Sequence, residues 1–396
     1  MAFWDPTRPA YRANPYPSLA RLREQDPVHW SAGYSAWVIT RYEECAEVLR
    51  DSDRFTIDPC RTAGAWAEAI AEHRGSVPLG LSPTLGNTSG DPHRRLRHLV
   101  NPAFAPAAVH AAQSVIGGLV DELVCSLPAS RPFDLMTALA DPLPRRVMLV
   151  VMGFPPHEAA RLQGLFATIE TVRSNPRAAG KIAEARDAQR VATEFLEAHA
   201  GGGLPSESVL ATLLSASRGG GPSLDDVVSL AVHIAAVGTG PTSGAIANAI
   251  LALAEHPGVL SALREHPEGG RSTTHELLRY DSPTHIVPRF AAVDTLLAGR
   301  RIHRGDSVFA MAGAANRDPA MFAAPDVLDI SRDARRQLGF GRGEHICLGG
   351  PLALAIIETA LAAIVDRFGR LQVLGPPDYA PNVELRIPDR LMLQAS

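Results

Sequence analysis

Near its C-terminus the chain reads Gly339-Phe340-Gly341-Arg342-Gly343-Glu344-His345-Ile346-Cys347-Leu348-Gly349. An apolar run with helical period and strong helix formers follows, Leu352 to Phe368. Glycines at 339, 341 and 343 permit a tight, irregular path, because glycine accepts positive φ at little steric cost. Cys347 therefore falls just ahead of a helix N-terminus, where the dipole and free N–H groups lower a thiol's pKa and favour the thiolate. A glycine-rich loop also brings N–H groups close to sulfur, the contact that tunes a metal–thiolate bond. A lone cysteine beside a helix cap is more often inert core. The spaced run F-G-x-G-x-H-x-C-L-G is much more specific than that.

The rest of the chain limits what such a loop serves. Its 396 residues are 46% hydrophobic and 20% charged, enough for a large core. A net charge of -4 without any basic block gives no reason to expect nucleic acid. Cysteines at 45, 60, 125 and 347 form no C-x-x-C pair, which argues against structural zinc, and four cysteines in a chain this long argue against a disulfide framework and for a reducing cytoplasm. The N-terminal segment has no apolar h-region, and the longest apolar stretches are interrupted within the ~20 residues a span needs, so no membrane association is expected.

Read in order, the pattern predicts a short helix after Pro17 and strands at Val28–Trp30 and Ala36–Thr40. A helix over Tyr42–Arg50 follows, then a long irregular loop over residues 54–90. Asp91 and Pro92 open a helix on which His93 and Arg97, four apart, share a face suited to paired carboxylates. Helices are expected at 106–127, 135–153, 156–172 and 177–199. From a cap at Ser223 one apolar helix of about 30 residues is expected, central and buried.

At this point the chain resembles the cytochrome P-450 family, the cysteine-thiolate haem enzymes. The resemblance rests on the cysteine loop, on Glu276-x-x-Arg279, on Pro288-Arg289-Phe290-Ala291 and on Ala315-Asn316-Arg317-Asp318-Pro319, in order and at matching spacing. It implies a mainly α fold with a small β-rich region, one domain over residues 1–396, and one haem b (iron protoporphyrin IX) ligated by Cys347. It implies propionate contacts from His93, Arg97, Arg289 and His345, with Phe340 and Gly341 packing on the sulfur side. Val237, His285, Ile286 and Val287 are expected to face substrate, and a hairpin at Asn382–Pro388 is expected to enter the cavity. Glu276–Arg279 is expected to be a buried structural pair. The implied partners are a small-molecule substrate and a separate ferredoxin with its reductase.

One departure stands out. The family's long helix usually reads A-G-x-(D/E)-T-(T/S) at its middle, whereas this chain reads Val237-Gly238-Thr239-Gly240-Pro241-Thr242. Gly240 replaces the acid and Pro241 the alcohol that normally relay protons for O–O cleavage. Proline frees the carbonyl of Val237 and predicts a kink. Thr242 or Thr239 from a shifted register, a group on the substrate, or a different oxidation (coupling, ring closure, desaturation, peroxide-driven turnover) are the alternatives to ordinary hydroxylation. A haem sensor or partner-binding subunit without enzymatic activity is a further alternative.

Overall fold

The computed structural model describes residues 4–58, 61–62, 65–80, 82–174, 180–266, 270–379 and 382–396. Cys60 and the start of the helix expected from residue 177 lie outside them.

Helices dominate, and their order follows the apolar periodicity. The cysteine helix runs Gly350–Arg367, with Pro351 in its first turn where a missing N–H costs nothing. It packs on the helix Pro106–Ser126 and on Gly240–Glu255, and the three share one large apolar core. A five-stranded sheet lies to one side, with strand order Val28–Ser31, Ala36–Ile39, Ser307–Ala310, Val287–Ala291, Phe55–Thr56. Its one parallel pair, Ala36–Ile39 beside Ser307–Ala310, joins the N-terminal region to the segment leading into the cysteine loop.

Three expectations are corrected. Residues 65–76, expected to be loop, form a helix. The helix expected over 135–153 starts as a π-turn, Met136–Ala140, before an α-helix over Pro142–Met152. The single 30-residue helix is two: Leu224–Val237 and Gly240–Glu255. Ser223 does cap the first, in a reciprocal box with Asp226. The predicted kink at Pro241 is realised as a break at Gly238-Thr239, because Pro241 brings no N–H to the Val237 carbonyl. The two halves together, Leu224–Glu255, are long and apolar enough to cross a membrane; 56% of the most apolar window is buried inside the protein.

The E-x-x-R pair is a structural lock. Glu276 and Arg279 are fully buried and paired through two bonds of 2.6 and 2.8 Å. Arg279 also donates to the carbonyls of Asn316, Pro325 and Val327. Asn316 in turn accepts from the Leu338 N–H at 2.7 Å, which fixes the start of the cysteine loop.

Candidate functional site

A cavity of about 400 Å³ lies between the cysteine loop and the broken helix. Cys347, Phe340, Gly341, Leu348, Leu352 and Ile356 line one side, and Ile234, Val237, Gly238, Pro241, Thr242 and Ala245 the other. The loop holds its shape through its glycines. Gly341 and Gly343 have φ of +69° and +71°, and a Cβ at Gly343 would sit 2.7 Å from the Leu49 carbonyl oxygen. The Cys347 N–H donates to the Phe340 carbonyl at 2.8 Å, which turns the sulfur toward the cavity.

Cys347 is open to that cavity, while the protein packed around its sulfur is dense enough to desolvate it. Burial pushes its thiol pKa up; N–H groups of Gly349 and Gly350 and the charge of Arg97 pull it down by less. This corrects the expectation of a thiol lowered by its helix. The N–H groups at the helix start lower it as expected but are outweighed by desolvation, and a bound metal ion deprotonates a coordinating thiol outright.

The four residues expected to meet propionates converge on the cavity's edge. Arg289 is almost fully buried, its one hydrogen bond among the described residues goes to the Pro288 carbonyl, and burial pushes its pKa down to about 10. The His93 and His345 rings touch at a tilt of 55°, with centroids 4.2 Å apart. Burial lowers both, His345 to about 3, with the charge of its neighbours His93 and Arg289 adding to the shift. His93 Nδ1 lies 3.3 Å from Glu344 Oε1 but off the line of a hydrogen bond; it and His345 Nδ1 are buried without a partner among the described residues. Arg97 donates to the carbonyls of Glu344 and Ile346. A buried guanidinium lacking a carboxylate, beside orphaned imidazole nitrogens and an apolar slot with one sulfur, fits a flat apolar cofactor carrying acidic arms. Among the described residues no group of three or more His, Cys, Asp or Glu is placed to hold a bare metal ion.

The other expected site residues separate. Val237, Pro241, Thr242 and Val287 line the cavity. Thr239 instead lines an adjoining pocket of about 280 Å³, with Met148 shared between the two. Gly240 faces Ile387, which would lie 3.8 Å from a Cβ there. His285 and Ile286 do not line the cavity. His285 is drawn to Asp281 and Tyr16, and Ile286 packs with Trp4, Leu19, Leu22 and Val38. The C-terminal hairpin also stops short: Ile387 presses on Gly244, and Leu385 pairs with Thr284. Gln337 lines the cavity and accepts the Gly339 N–H at 2.5 Å, while Leu354 packs on the core. Sequence reasoning missed His233, which lines the cavity one turn before Val237; a histidine in an apolar helix was the available signal.

The cytochrome P-450 family model matches residues 271–382. An epothilone C/D epoxidase of Sorangium cellulosum is 30% identical over 408 residues, covering 96% of this chain and 92% of the relative. A polyketide biosynthesis cytochrome P-450 of Bacillus subtilis is 29% identical over 391 residues, covering 95% and 94%. The crystal structure of CalO2 superposes with a TM-score of 0.86 at 30% identity, covering 100% of this chain and 99% of that one. Fold and relatives together define a haem protein. The chain belongs to the cytochrome P-450 family. It is an oxidoreductase of the monooxygenase type that takes a small molecule and works with redox partners.

Proposed function

We propose that this chain, one domain over residues 1–396, is a haem b monooxygenase of the cytoplasm that oxidises a small natural-product-like molecule with electrons from a separate ferredoxin and reductase. The observation that carries it is Cys347 opening into the cavity directly across from the helix break. The acceptors of the relatives named above, an epothilone and a polyketide pathway, support a natural-product substrate.

In this reading Cys347 ligates the metal as thiolate. His93, Arg97, Arg289 and His345 hold the two acidic arms; this satisfies the orphaned nitrogens and neutralises Arg289. Phe340 and Gly341 pack on the sulfur side. When bound, haem supplies the oxidising chemistry, with the thiolate pushing electron density that favours O–O cleavage. The hydroxyl beside the break that lines the cavity is that of Thr242, whose Oγ1 donates to the Gly238 carbonyl at 3.3 Å. Thr239 donates to the Ala236 carbonyl at 3.2 Å and serves the adjoining pocket instead. Val237 and Val287 shape the apolar wall against which substrate rests.

The missing acid–alcohol pair favours a second reading in which coupling, ring closure, desaturation or peroxide-driven oxidation replaces hydroxylation. Turnover with a ferredoxin–reductase pair, compared with turnover in peroxide, separates them. The first reading expects reductant-driven product to dominate; product only with peroxide sinks it.

A further inference from the structure

His233 sits on the first half of the broken helix and lines the cavity. Two features hold its ring. In front, the loop at Gly86 lies so close that a Cβ there would be 2.6 Å from His233 Cε1. Behind, Arg173 reaches His233 Nδ1 at 3.4 Å. Arg173 is itself pinned by Glu170 and by Ser229 Oγ at 3.3 Å, with little exposure.

A guanidinium donates and never accepts, so Nδ1 must be the acceptor and the proton must sit on Nε2. The doubly protonated form is excluded by the same contact. Burial and the Arg173 charge push the His233 pKa down to about 3, which agrees with this geometry. Nε2 has no partner among the described residues, and the ring borders the cavity. Thr242 on the same helix pair spends its proton on the Gly238 carbonyl. The cavity lining also includes the apolar Ile57, Leu85, Ile234 and Val237, with Ser282, Thr284 and Gln337 as further polar members. An N–H on an apolar wall is a point of recognition, because a ligand that leaves it unpaired forfeits a hydrogen bond.

We infer that the Nε2–H of His233 is the polar anchor of the substrate cavity, and that the substrate carries an uncharged oxygen acceptor, a carbonyl or hydroxyl, on an apolar skeleton. Arg173 is a positioning residue that fixes the tautomer. An ammonium-bearing substrate is disfavoured, since it offers donors only and meets the Arg173 charge behind the ring. The inference rests on the monooxygenase reading and specifies its substrate class.

The test uses the haem-loaded enzyme, first checked for the thiolate-type carbon monoxide band; failure there sinks the underlying reading rather than this one. Cyclic ketones up to cyclododecanone, each paired with its parent cycloalkane, are titrated by the shift of the haem absorption. The ratio of ketone to hydrocarbon affinity is expected to be about fivefold higher in wild type than in His233→Phe. His233→Gln is expected to restore the ratio, since its amide oxygen accepts from Arg173 while its N–H₂ faces the cavity. A ratio unchanged within about twofold, or no binding of any probe to enzyme showing the band, overturns the inference. If the phenylalanine variant fails to hold haem, the infrared carbonyl stretch of cyclododecanone bound to wild type decides alone: lowered as expected, or unshifted and the inference falls.

Discussion

Replacing Pro241 by threonine restores the family's alcohol at the helix break, and the structure sets the size of the response. A proline inside a continuous helix costs about 3 kcal/mol relative to alanine. Here Gly240 is the first residue of the downstream half and Pro241 the second. While the break persists an N–H at that position has no helical partner, so proline costs little there. Pro241→Thr gains at most one backbone hydrogen bond to the Val237 carbonyl, about 1 kcal/mol. Losing proline's fixed φ frees the unfolded chain and returns about 0.4–1 kcal/mol of that. The net change in unfolding free energy is therefore expected to stay within about 1 kcal/mol, read from denaturant midpoints. The chemistry should move more, because a hydroxyl now stands beside Thr242 on the cavity wall. The assay is the ratio of product formed to NADPH consumed, with a ferredoxin–reductase pair. A stabilisation near 3 kcal/mol would mean the proline strains a helix that is otherwise continuous. A product ratio identical to wild type would mean the break has no bearing on proton supply.

Further outcomes follow from the same geometry. Glu276→Gln leaves Arg279 buried without its counter-charge and is expected to cost about 3–5 kcal/mol in denaturant unfolding; a loss below about 1 kcal/mol would show that the pair is not the lock described. Gly343→Ala forces a Cβ toward the Leu49 carbonyl at a φ of +71°, so haem retention at low denaturant should fall while helix content by circular dichroism stays near wild type. His233 is held neutral in the folded state and has its ordinary pKa when unfolded. Its stabilisation is complete above about pH 6.5 and lost as pH falls toward its folded value of about 3. Between pH 4 and 6 the stability of wild type should therefore fall with decreasing pH more steeply than that of His233→Gln, by up to about 1.4 kcal/mol per pH unit; equal slopes would show the imidazole titrates freely.

Much of this site was legible because its parts are local. The cysteine loop, the capping of the helix at Ser223 and the Glu276–Arg279 spacing are all specified within a few residues. Pro241 announced a disruption, which the structure shows as an interruption at Gly238-Thr239 between two helical halves. The helix over residues 65–76 was missed because its sequence, AWAEAIAEHRGS, has helix formers but no apolar stripe. His285 and Ile286 were misplaced because their partners lie far away in sequence: Tyr16 for one, Trp4, Leu19 and Leu22 for the other. His233 stayed hidden for the same reason, since Gly86 and Arg173 give it meaning.

The whole account depends on the sulfur of Cys347 reaching iron. The direct measurement is the reduced, carbon monoxide-bound spectrum of haem-loaded wild type beside Cys347→Ser. Wild type is expected to show the red-shifted band of a thiolate-ligated haem, and the serine variant to lose it. The same band in both proteins would contradict the assignment of the ligand and the site built around it.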